Sequence, residues 1–356
     1  MTSFIETRVH GSVAEIVLDR PRALNALDNS MIRDMYDALV QWRDDDAISA
    51  VLVTSSSDRA FCAGGDIKSV RQSSLDRDTN AVHKFFSTEY KLNALIANYP
   101  KPYIALIDGH AMGGGLGISV HGSVRVVTER AGLAMPETAI GFFPDVGASY
   151  FLPRLTGAAG MYLGLTGARA SGADAVAIGL ATHFVTSDKV DALAADIRAM
   201  SAGDLDTVLA RHVTDAPASE MAERQAEIDR VFGSGTLADM VARLTGDDVW
   251  TKTTREELAS VAPSSLWITA ELVRRGADLT LEQCLDLELT LGAEVTCNAD
   301  FIEGVRALLV DKDRNPSWNP PAIADIDPEA IEALFTEITA DPAERTPSGG
   351  HGKVQA

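Results

Sequence analysis

Short apolar runs alternate with segments of helical period along the first half of the chain. Val13–Leu18, Ile48–Thr54 and Tyr103–Ile107 have the length and composition of buried strands. Thr7–His10 precedes the first of these runs across a glycine turn, which predicts a β-hairpin. Phe85–Tyr99 has the apolar spacing of a helix and ends before a proline. Because strands and helices follow one another in turn, we predict an α/β fold for this half.

Helical spacing predominates after about residue 190. Further helices are predicted at 188–201, 203–212, 217–231, 236–244, 264–275 and 280–298. The last stretch, 341–356, is polar with two prolines and three glycines, which predicts disorder. We therefore divide the chain into a core of residues 1–190 that carries the site, a helical region of residues 191–340 and a disordered tail.

The balance of charge narrows the classes of partner. The chain of 356 residues has 31 lysines and arginines against 51 aspartates and glutamates, so its net charge at pH 7 is −20. Such a surface disfavours contact with a nucleic acid backbone, although a few local cations suffice for one small anionic ligand. The chain has neither an apolar run long enough to span a bilayer nor a secretory leader. We therefore predict no nucleic acid partner, no membrane association and a cytoplasmic location.

Several motifs that carry chemistry do not occur in the sequence. It contains no GxSxG nucleophile elbow, P-loop, GxGxxG or HExxH, and its seven histidines lack ligand spacing, so we predict no metal site. Cys62, Cys284 and Cys297 are far apart and form no CxxC, which predicts free thiols in a reducing compartment.

Two glycine loops are the first candidate for a functional site. Ala63–Asp66 and Gly113–Gly115 each follow an apolar strand, and each opens a segment of helical character. Two backbone N–H groups brought together from such loops can form an oxyanion hole, which stabilises charge on a carbonyl oxygen. Each loop by itself fits a plain tight turn better, and it is the presence of two such loops in one domain that makes an oxyanion hole a comparable interpretation.

Acidic residues near these loops each have two interpretations. Glu137 follows a proline, so it is either a base whose pKa is raised by burial or a carboxylate at a helix N-terminus. Asp145 could be an N-cap for the segment that follows it, and Glu89 could be a solvated charge on a helix. His121 is best interpreted as a hydrogen-bonded structural residue.

The chain resembles the crotonase (enoyl-CoA hydratase/isomerase) superfamily over most of residues 5–200. Four blocks in the superfamily's order carry the resemblance: LDRPRALNAL (18–27), FCAGGDIKSV (61–70), DGHAMGGGLGISVHG (108–122) and LAMPETAIGFFPDVGASYFLPRL (133–155). The details are similar to the 3-hydroxyisobutyryl-CoA hydrolase family, which also shows FF..EY.LN (85–93), YPKPYIAL (99–106) and FIEGVRALLVDKDRNPSW (301–318). The fold that this resemblance implies is a spiral of ββα units followed by a helical C-terminal region.

The resemblance implies a role for individual residues. The backbone N–H groups of Gly65 and Gly114 would form the oxyanion hole, and Glu137 and Asp145 would be the catalytic acids. Glu89 would contact the substrate together with Gly114, Glu137 and Asp145. The residues expected to bind CoA are Arg22, Ala23, Asn25, Gly64, Asp66, Ile67 and Lys68, with Lys68 near the adenine and phosphates.

One position separates activities within the superfamily. Hydratases carry a second glutamate shortly after the glycine triplet, and this chain has Gly117 there. The resemblance therefore implies hydrolysis of (S)-3-hydroxyisobutyryl-CoA, a step of valine breakdown, with CoA as part of the substrate and no cofactor. Two alternatives remain open, an enoyl-CoA hydratase or isomerase and a non-catalytic acyl-CoA-binding protein. A homo-oligomer is also possible.

Overall fold

A computed structural model of the chain describes residues 3–339, so the tail predicted to be disordered lies outside the described residues. The strands are β1 Ile5–His10, β2 Val13–Leu18, β3 Ala50–Ser55, β4 Ala60–Cys62, β5 Tyr103–Ile107, β6 His110–Met112, β7 Val124–Val127, β8 Gly132–Ala134, β9 Ala170–Ser171 and β10 His183–Phe184. The first nine α-helices are α1 Asn29–Arg43, α2 Ile67–Leu75, α3 Thr79–Ala97, α4 Gly114–Gly117, α5 Ala148–Phe151, α6 Ala159–Thr166, α7 Gly172–Ala177, α8 Val190–Ala199 and α9 Leu205–His212. The others are α10 Glu220–Glu223, α11 Gln225–Phe232, α12 Leu237–Ala242, α13 Val249–Ser260, α14 Pro263–Gly276, α15 Leu281–Val295, α16 Ala299–Val305 and α17 Pro328–Thr339.

Two sheets organise the first half of the chain. The larger has the order β1-β2-β3-β5-β7-β10, in which β1 and β2 form the predicted antiparallel hairpin and the other neighbours are parallel. The smaller has the order β4-β6-β8-β9, with β4, β6 and β8 parallel. Helices connect the parallel strands, as such connections require. The predicted α/β class is therefore confirmed.

The larger sheet is buried on both faces. Side chains alternate between the faces of a strand, so Val51 and Val53 enter the main core while Ala50 and Leu52 enter a second, smaller core. Helices α8 and α9 cover that second core with Leu193, Ile197 and Leu209 among others. Burial on both faces explains why these strands are continuous apolar runs in the sequence.

One carboxylate lies inside this sheet with a complete set of partners. Glu15 of β2 has no exposed surface. Its oxygens accept hydrogen bonds from the Arg198 guanidinium at 2.6 and 3.1 Å, from Thr54 Oγ1 at 3.0 Å and from His10 Nε2 at 2.9 Å. Burial raises the pKa of this carboxyl, but the hydrogen bonds and the Arg198 charge outweigh burial and leave the pKa below its usual value.

The second half is helical, as predicted, and shares the main core with the first. Helix α15 packs along α3, and α14 packs against α5 and α6. The predicted helix 217–231 is two helices, α10 and α11, and α13 was not predicted. Two of the three buried residues of α13 are threonines, Thr251 and Thr254, and the third is Leu258, so the apolar helical period is weak in the sequence. The boundary at residue 190 stays a prediction.

None of the helices described for residues 3–339 combines the length and the apolar character that a transmembrane span requires.

Candidate active site

A cavity of about 210 Å³ brings together both glycine loops and the three candidate acids. It lies where β4 and β6 end, because the glycine loops follow these neighbouring parallel strands. The lining residues are Ala63, Gly64, Gly65, Ile67, Phe86, Glu89, Met112, Gly113, Gly114, Pro136, Glu137, Ile140, Phe142, Asp145, Leu308 and Leu309. Apolar side chains thus enclose a small polar centre, which is the usual composition of a ligand site.

The two glycine loops touch each other in this cavity. A methyl group built on Gly114 would lie 3.2 Å from the Gly65 nitrogen and would overlap Glu89 Oε1. Among the described residues, neither the Gly65 nor the Gly114 N–H donates to a protein acceptor. Gly64 has φ +97°, which favours glycine. Two adjacent free amide donors at one cavity wall have the arrangement of an oxyanion hole.

Glu89 projects into the cavity from α3. The residue is 2% exposed, and its Oε1 has no hydrogen-bond partner among the described residues. The interpretation of Glu89 as a solvated charge is therefore wrong. A buried carboxyl oxygen without a partner is unfavourable in a structural position, so it indicates a group that meets a ligand.

Glu137 reaches the same place from the other side. It begins the 3₁₀ turn Glu137–Ile140 and is 8% exposed. Its Oε1 lies 2.5 Å from the position of a methyl group built on Gly113, and its Oε2 has no partner among the described residues. The residue does start a short helical turn, but its buried carboxyl group also faces the cavity.

Asp145 accepts a hydrogen bond from a tyrosine that was not among the candidate site residues. Tyr90 Oη donates to Asp145 Oδ2 at 2.7 Å, and both side chains are buried. The interpretation of Asp145 as an N-cap is wrong, because α5 begins after Gly147 and receives no side-chain cap. Tyr90 directly follows Glu89 in the FF..EY.LN segment, and its position next to a candidate acid is the sequence feature that could have indicated its role.

The pKa values of all three acids are raised. Burial is the main cause for each, and the Asp145 charge adds to the rise for Glu89 and for Glu137. Burial raises the pKa of Asp145 to about 7, although the Tyr90 hydroxyl opposes the rise. The carboxyls of Glu89 and Glu137 titrate well above 4.5. Asp145 therefore titrates near neutral pH beside two glutamates whose pKa values are also raised, an arrangement suited to acid–base chemistry.

The position that carries a glutamate in hydratases has no room for a side chain here. A methyl group on Gly117 would lie 2.7 Å from Val146 Cβ and 3.0 Å from Asn93 Nδ2. Asn93 lies on α3 one helical turn after Glu89, and both of its amide atoms lack partners among the described residues. The glycine is thus required by the packing of α3 and of the segment after Asp145.

The two loops expected to bind CoA lie side by side. Leu27 N–H donates to Gly64 O at 2.8 Å, and Ala63 N–H donates to Leu24 O at 2.9 Å. Gly64 and Ile67 line the cavity.

The other expected CoA contacts lie outside the cavity, and they differ in how available their side chains are. Arg22 and Lys68 are exposed, and Ala23 is half-buried. The Asn25 side chain is fully buried and donates to Ser55 Oγ and Phe61 O. Asp66 forms an ion pair with Arg20 at 3.1 Å. We therefore expect Asn25 to shape the loop rather than to present its amide to a ligand.

The C-terminal wall of the cavity is not apparent from the sequence. Leu308 and Leu309 line the cavity and belong to a π-helical segment, Arg306–Val310, that follows α16. Arg306 fixes this segment through Glu303, Asp311 and Asp313. The segment lies within the block 301–318 that carried the resemblance, but nothing in its sequence places it at the site.

His121 is structural, as predicted. Its Nε2 bonds to Val146 O at 2.7 Å, and burial lowers its pKa to about 4, so the ring is neutral.

A larger cavity of about 600 Å³ lies elsewhere, between α6, α11 and α14. Its carboxylates are already paired, Glu271 with Arg274 and Arg275 and Asp229 with Ala158 N–H, so it offers no comparable chemistry.

Comparison of the sequence with known proteins gives consistent matches. A sequence model of the family described as enoyl-CoA hydratase/isomerase matches residues 13–335. The 3-hydroxyisobutyryl-CoA hydrolase, mitochondrial, of Danio rerio is 40% identical, and the match covers 92% of this chain and 88% of that protein. The Homo sapiens protein of the same name is 38% identical, with 92% and 87% covered.

Solved structures agree in fold and differ in the activity named. A structure described as a carnitinyl-CoA dehydratase from Mycobacterium thermoresistibile matches with a TM-score of 0.90 and 38% identity, covering 98% of this chain and 100% of that chain. One described as an enoyl-CoA hydratase from Rhodobacter sphaeroides 2.4.1 matches with a TM-score of 0.87 and 36% identity, covering 94% and 97%.

Proposed function

The chain belongs to the enoyl-CoA hydratase/isomerase family, and from that premise we propose that it hydrolyses the thioester of (S)-3-hydroxyisobutyryl-CoA and releases CoA. The reaction is a step of valine breakdown. The crotonase fold predicted from the sequence is confirmed by the match to the two solved structures over nearly the whole chain. The relatives named 3-hydroxyisobutyryl-CoA hydrolase support this substrate.

The observation that carries the proposal is the filled space at Gly117. Hydration of an enoyl double bond in this superfamily uses two carboxylates on one water. Val146 and Asn93 occupy the space that the second carboxylate would need. Glu89 and Asp145 instead bring carboxyls to the cavity from α3 and from the segment before α5. This set of acids supports attack on a thioester better than addition of water across a double bond.

We assign the first chemical step to Glu137. In its ionised form it removes a proton from water, whose oxygen attacks the thioester carbon. The carbonyl oxygen becomes an oxyanion and accepts hydrogen bonds from the N–H groups of Gly65 and Gly114. Direct attack by the Glu137 carboxylate is the alternative, which gives a mixed anhydride that water then hydrolyses.

The second step needs an acid, and the cavity supplies one. The C–S bond breaks with its electron pair on sulfur, and the leaving thiolate takes a proton to become the CoA thiol. The candidate proton donors are Asp145, whose pKa burial raises to about 7, and its neighbour Glu89, whose pKa is also raised by burial. We propose that they assist departure of the thiolate and hold the substrate's 3-hydroxyl group or the attacking water. No cofactor enters this scheme.

Release of free thiol tests the proposal. A thiol-reactive dye measures CoA release from 3-hydroxyisobutyryl-CoA beside crotonyl-CoA and acetyl-CoA. Fast release from the hydroxy ester alone is expected, because its 3-hydroxyl can bond to the carboxyls. A closely related ester such as 3-hydroxypropionyl-CoA is expected to react as well. No release from any ester would contradict the proposal.

A second candidate is an enoyl-CoA hydratase or dehydratase. The descriptions of the two solved structures at 38% and 36% identity favour it. In that case Glu137 would move a proton at carbon, and loss of crotonyl-CoA absorbance without thiol release would identify the activity.

The place of the reaction in the cell stays a prediction. The relatives' names include the word mitochondrial, and the cytoplasmic location expected from the sequence has no support from them. A homo-oligomer likewise stays a prediction.

A further inference from the structure

We infer that Glu288 is a positioning residue for Asp145 and acts through the segment Val146–Ser149. This inference rests on the proposed function, because it assigns the orientation of an acid of that site. Glu288 lies on α15, in the helical second half, and is not part of the cavity wall. No motif in the sequence indicates a role for Glu288.

Glu288 uses both carboxyl oxygens on this segment. Its side chain has no exposed surface. Oε2 accepts the Gly147 N–H at 2.7 Å, and Oε1 accepts the Ser149 N–H at 2.9 Å and bonds to Ser149 Oγ at 2.5 Å. Two backbone amides that follow Asp145 are therefore fixed by one buried side chain about 140 residues away in the chain.

The backbone between Asp145 and Gly147 adopts a conformation that needs such support. Val146 has φ +54°, which a β-branched residue rarely adopts, and Gly147 has φ +84°. His121 Nε2 donates to the carbonyl oxygen of Val146 on one side, and Glu288 accepts the Gly147 N–H on the other. We name His121 and Glu288 the peptide clamp. It holds the strained peptide from both ends.

The position of Asp145 depends on this clamp. Asp145 directly precedes Val146, and its own carbonyl oxygen accepts the Ala148 N–H at 2.9 Å within the same turn. Tyr90 fixes only one oxygen of the Asp145 side chain. The direction in which the Asp145 side chain leaves the backbone is set by the turn, and the turn is held by Glu288. A shift of about 1 Å in a reacting group can lower turnover about 100-fold.

The chemistry of the clamp requires two acceptors. Replacement of Glu288 with glutamine keeps the shape but places an NH₂ group against a backbone N–H donor at one end. The E288Q variant therefore loosens the turn without creating a cavity. Asp174 offers a matched control, because it is also a buried carboxylate and accepts hydrogen bonds from Ser219 Oγ and Met221 N–H, but does not line the site.

The test compares E288Q with D174N in the full chain. For 3-hydroxyisobutyryl-CoA hydrolysis, kcat of E288Q is expected to fall roughly 10- to 100-fold while KM changes less than about threefold. Asp174→Asn is expected to leave kcat within about twofold, although both variants lose thermal stability. Wild-type kcat in folded E288Q would overturn the inference.

A second readout does not depend on turnover. Amide hydrogen exchange of the peptide that contains Asp145–Ser149 is expected to be faster in E288Q than in the wild type and unchanged in D174N. Equal protection of these amides from exchange in all three proteins would overturn the inference that Glu288 holds the turn. If the wild type releases no CoA but exchange changes as expected, the proposed function fails and the clamp stands.

Should E288Q not fold, S149A replaces it. This variant keeps the Glu288 carboxyl group and both amide hydrogen bonds and deletes its contact with the Ser149 hydroxyl. A fall in kcat of about threefold at constant KM is expected, with faster exchange in the same peptide. No change in either quantity would overturn the inference.

Discussion

The molecule buries carboxylates in two contrasting ways. Glu15, inside the larger sheet, is fully buried and is surrounded by donors from Arg198, Thr54 and His10. Glu89 and Glu137, in the cavity, are nearly as buried, yet each has an oxygen without a partner among the described residues. The pKa of Glu15 is lowered, whereas the pKa values of both cavity glutamates are raised.

Burial is therefore not what marks the site. Burial raises the pKa in both regions. At Glu15 the hydrogen bonds and the Arg198 cation outweigh burial, whereas neither cavity glutamate has a cationic partner among the described residues. A carboxylate whose partners are complete stabilises the fold, because its charge is compensated. A buried carboxylate that lacks such partners lowers stability, and groups of this kind are typical of sites that act on a ligand. The following variants test this contrast from the largest expected effect to the smallest.

The largest effect is expected on turnover in E137Q. Glutamine cannot accept the proton or attack the thioester, so kcat for CoA release should fall about 1,000-fold. Binding of the ester, measured by calorimetry, should change little, because shape and oxyanion donors remain. The variant E15Q serves as the control and should keep kcat within about threefold. Near-normal turnover in E137Q would remove Glu137 from its assigned role.

The next effect is expected on stability in E15Q. Loss of the carboxylate leaves Arg198 without its ion-pair partner and breaks a buried network, which costs about 3 kcal/mol of unfolding free energy. Urea denaturation measures it. Glu6→Gln is the matched control in the adjacent strand, because Glu6 is exposed and pairs only with Arg8. If E15Q and E6Q unfolded at the same urea concentration, Glu15 would not have the stabilising role assigned to it.

Glu89 and Glu15 should also change the free energy of unfolding in opposite directions as pH rises. Because burial raises the pKa of Glu89 above 4.5 in the folded state, the folded protein binds this proton more tightly than the unfolded chain does, and the contribution of Glu89 to stability falls as pH rises above 4.5. The slope is at most about 1.4 kcal/mol per pH unit for one group. Glu15 contributes stability above pH 4.5 and loses it as pH falls below that value.

Denaturation of wild type, E89Q and E15Q between pH 3 and pH 7 separates these contributions. The difference between wild type and E89Q should change in the upper part of that range, and the difference between wild type and E15Q in the lower part. Parallel curves for all three proteins would contradict the assigned pKa directions.

The smallest effect is expected in Y90F. The variant deletes one hydrogen bond to Asp145 and nothing else, so kcat should fall about fivefold. Because the Tyr90 hydroxyl lowers the pKa of Asp145, its loss should move the Asp145 limb of the pH–rate profile to higher pH. A limb that stays in place would show that Tyr90 does not act on Asp145. Tyr99→Phe, whose hydroxyl bonds to Leu39 O away from the site, is the control.

Much of the fold follows from local pattern. The hairpin, the buried strands and most helices of the second half correspond to runs and periods in the sequence. The exceptions have physical reasons. Helix α13 buries threonines, and α10 and α11 are separated at Arg224, where no proline or glycine marks the break.

The site could be predicted only in part. The sequence indicated both glycine loops and all three acids, and the structure places them in one cavity. It did not indicate the burial of Glu89, because helical period alone gives no direction in space. Glu288 and Leu308 were also missed, since their contacts join positions more than 100 residues apart. The roles assigned to the site residues stay predictions until the variants are measured.

The most direct test of the contrast is a titration of the carboxyls themselves. Carbon NMR of the protein labelled at the glutamate carboxyl carbon, with E137Q, E89Q and E15Q used to assign signals, reports each midpoint. We expect midpoints well above 4.5 for Glu89 and Glu137 and below 4.5 for Glu15. An ordinary midpoint near 4.5 for Glu137 would contradict this expectation.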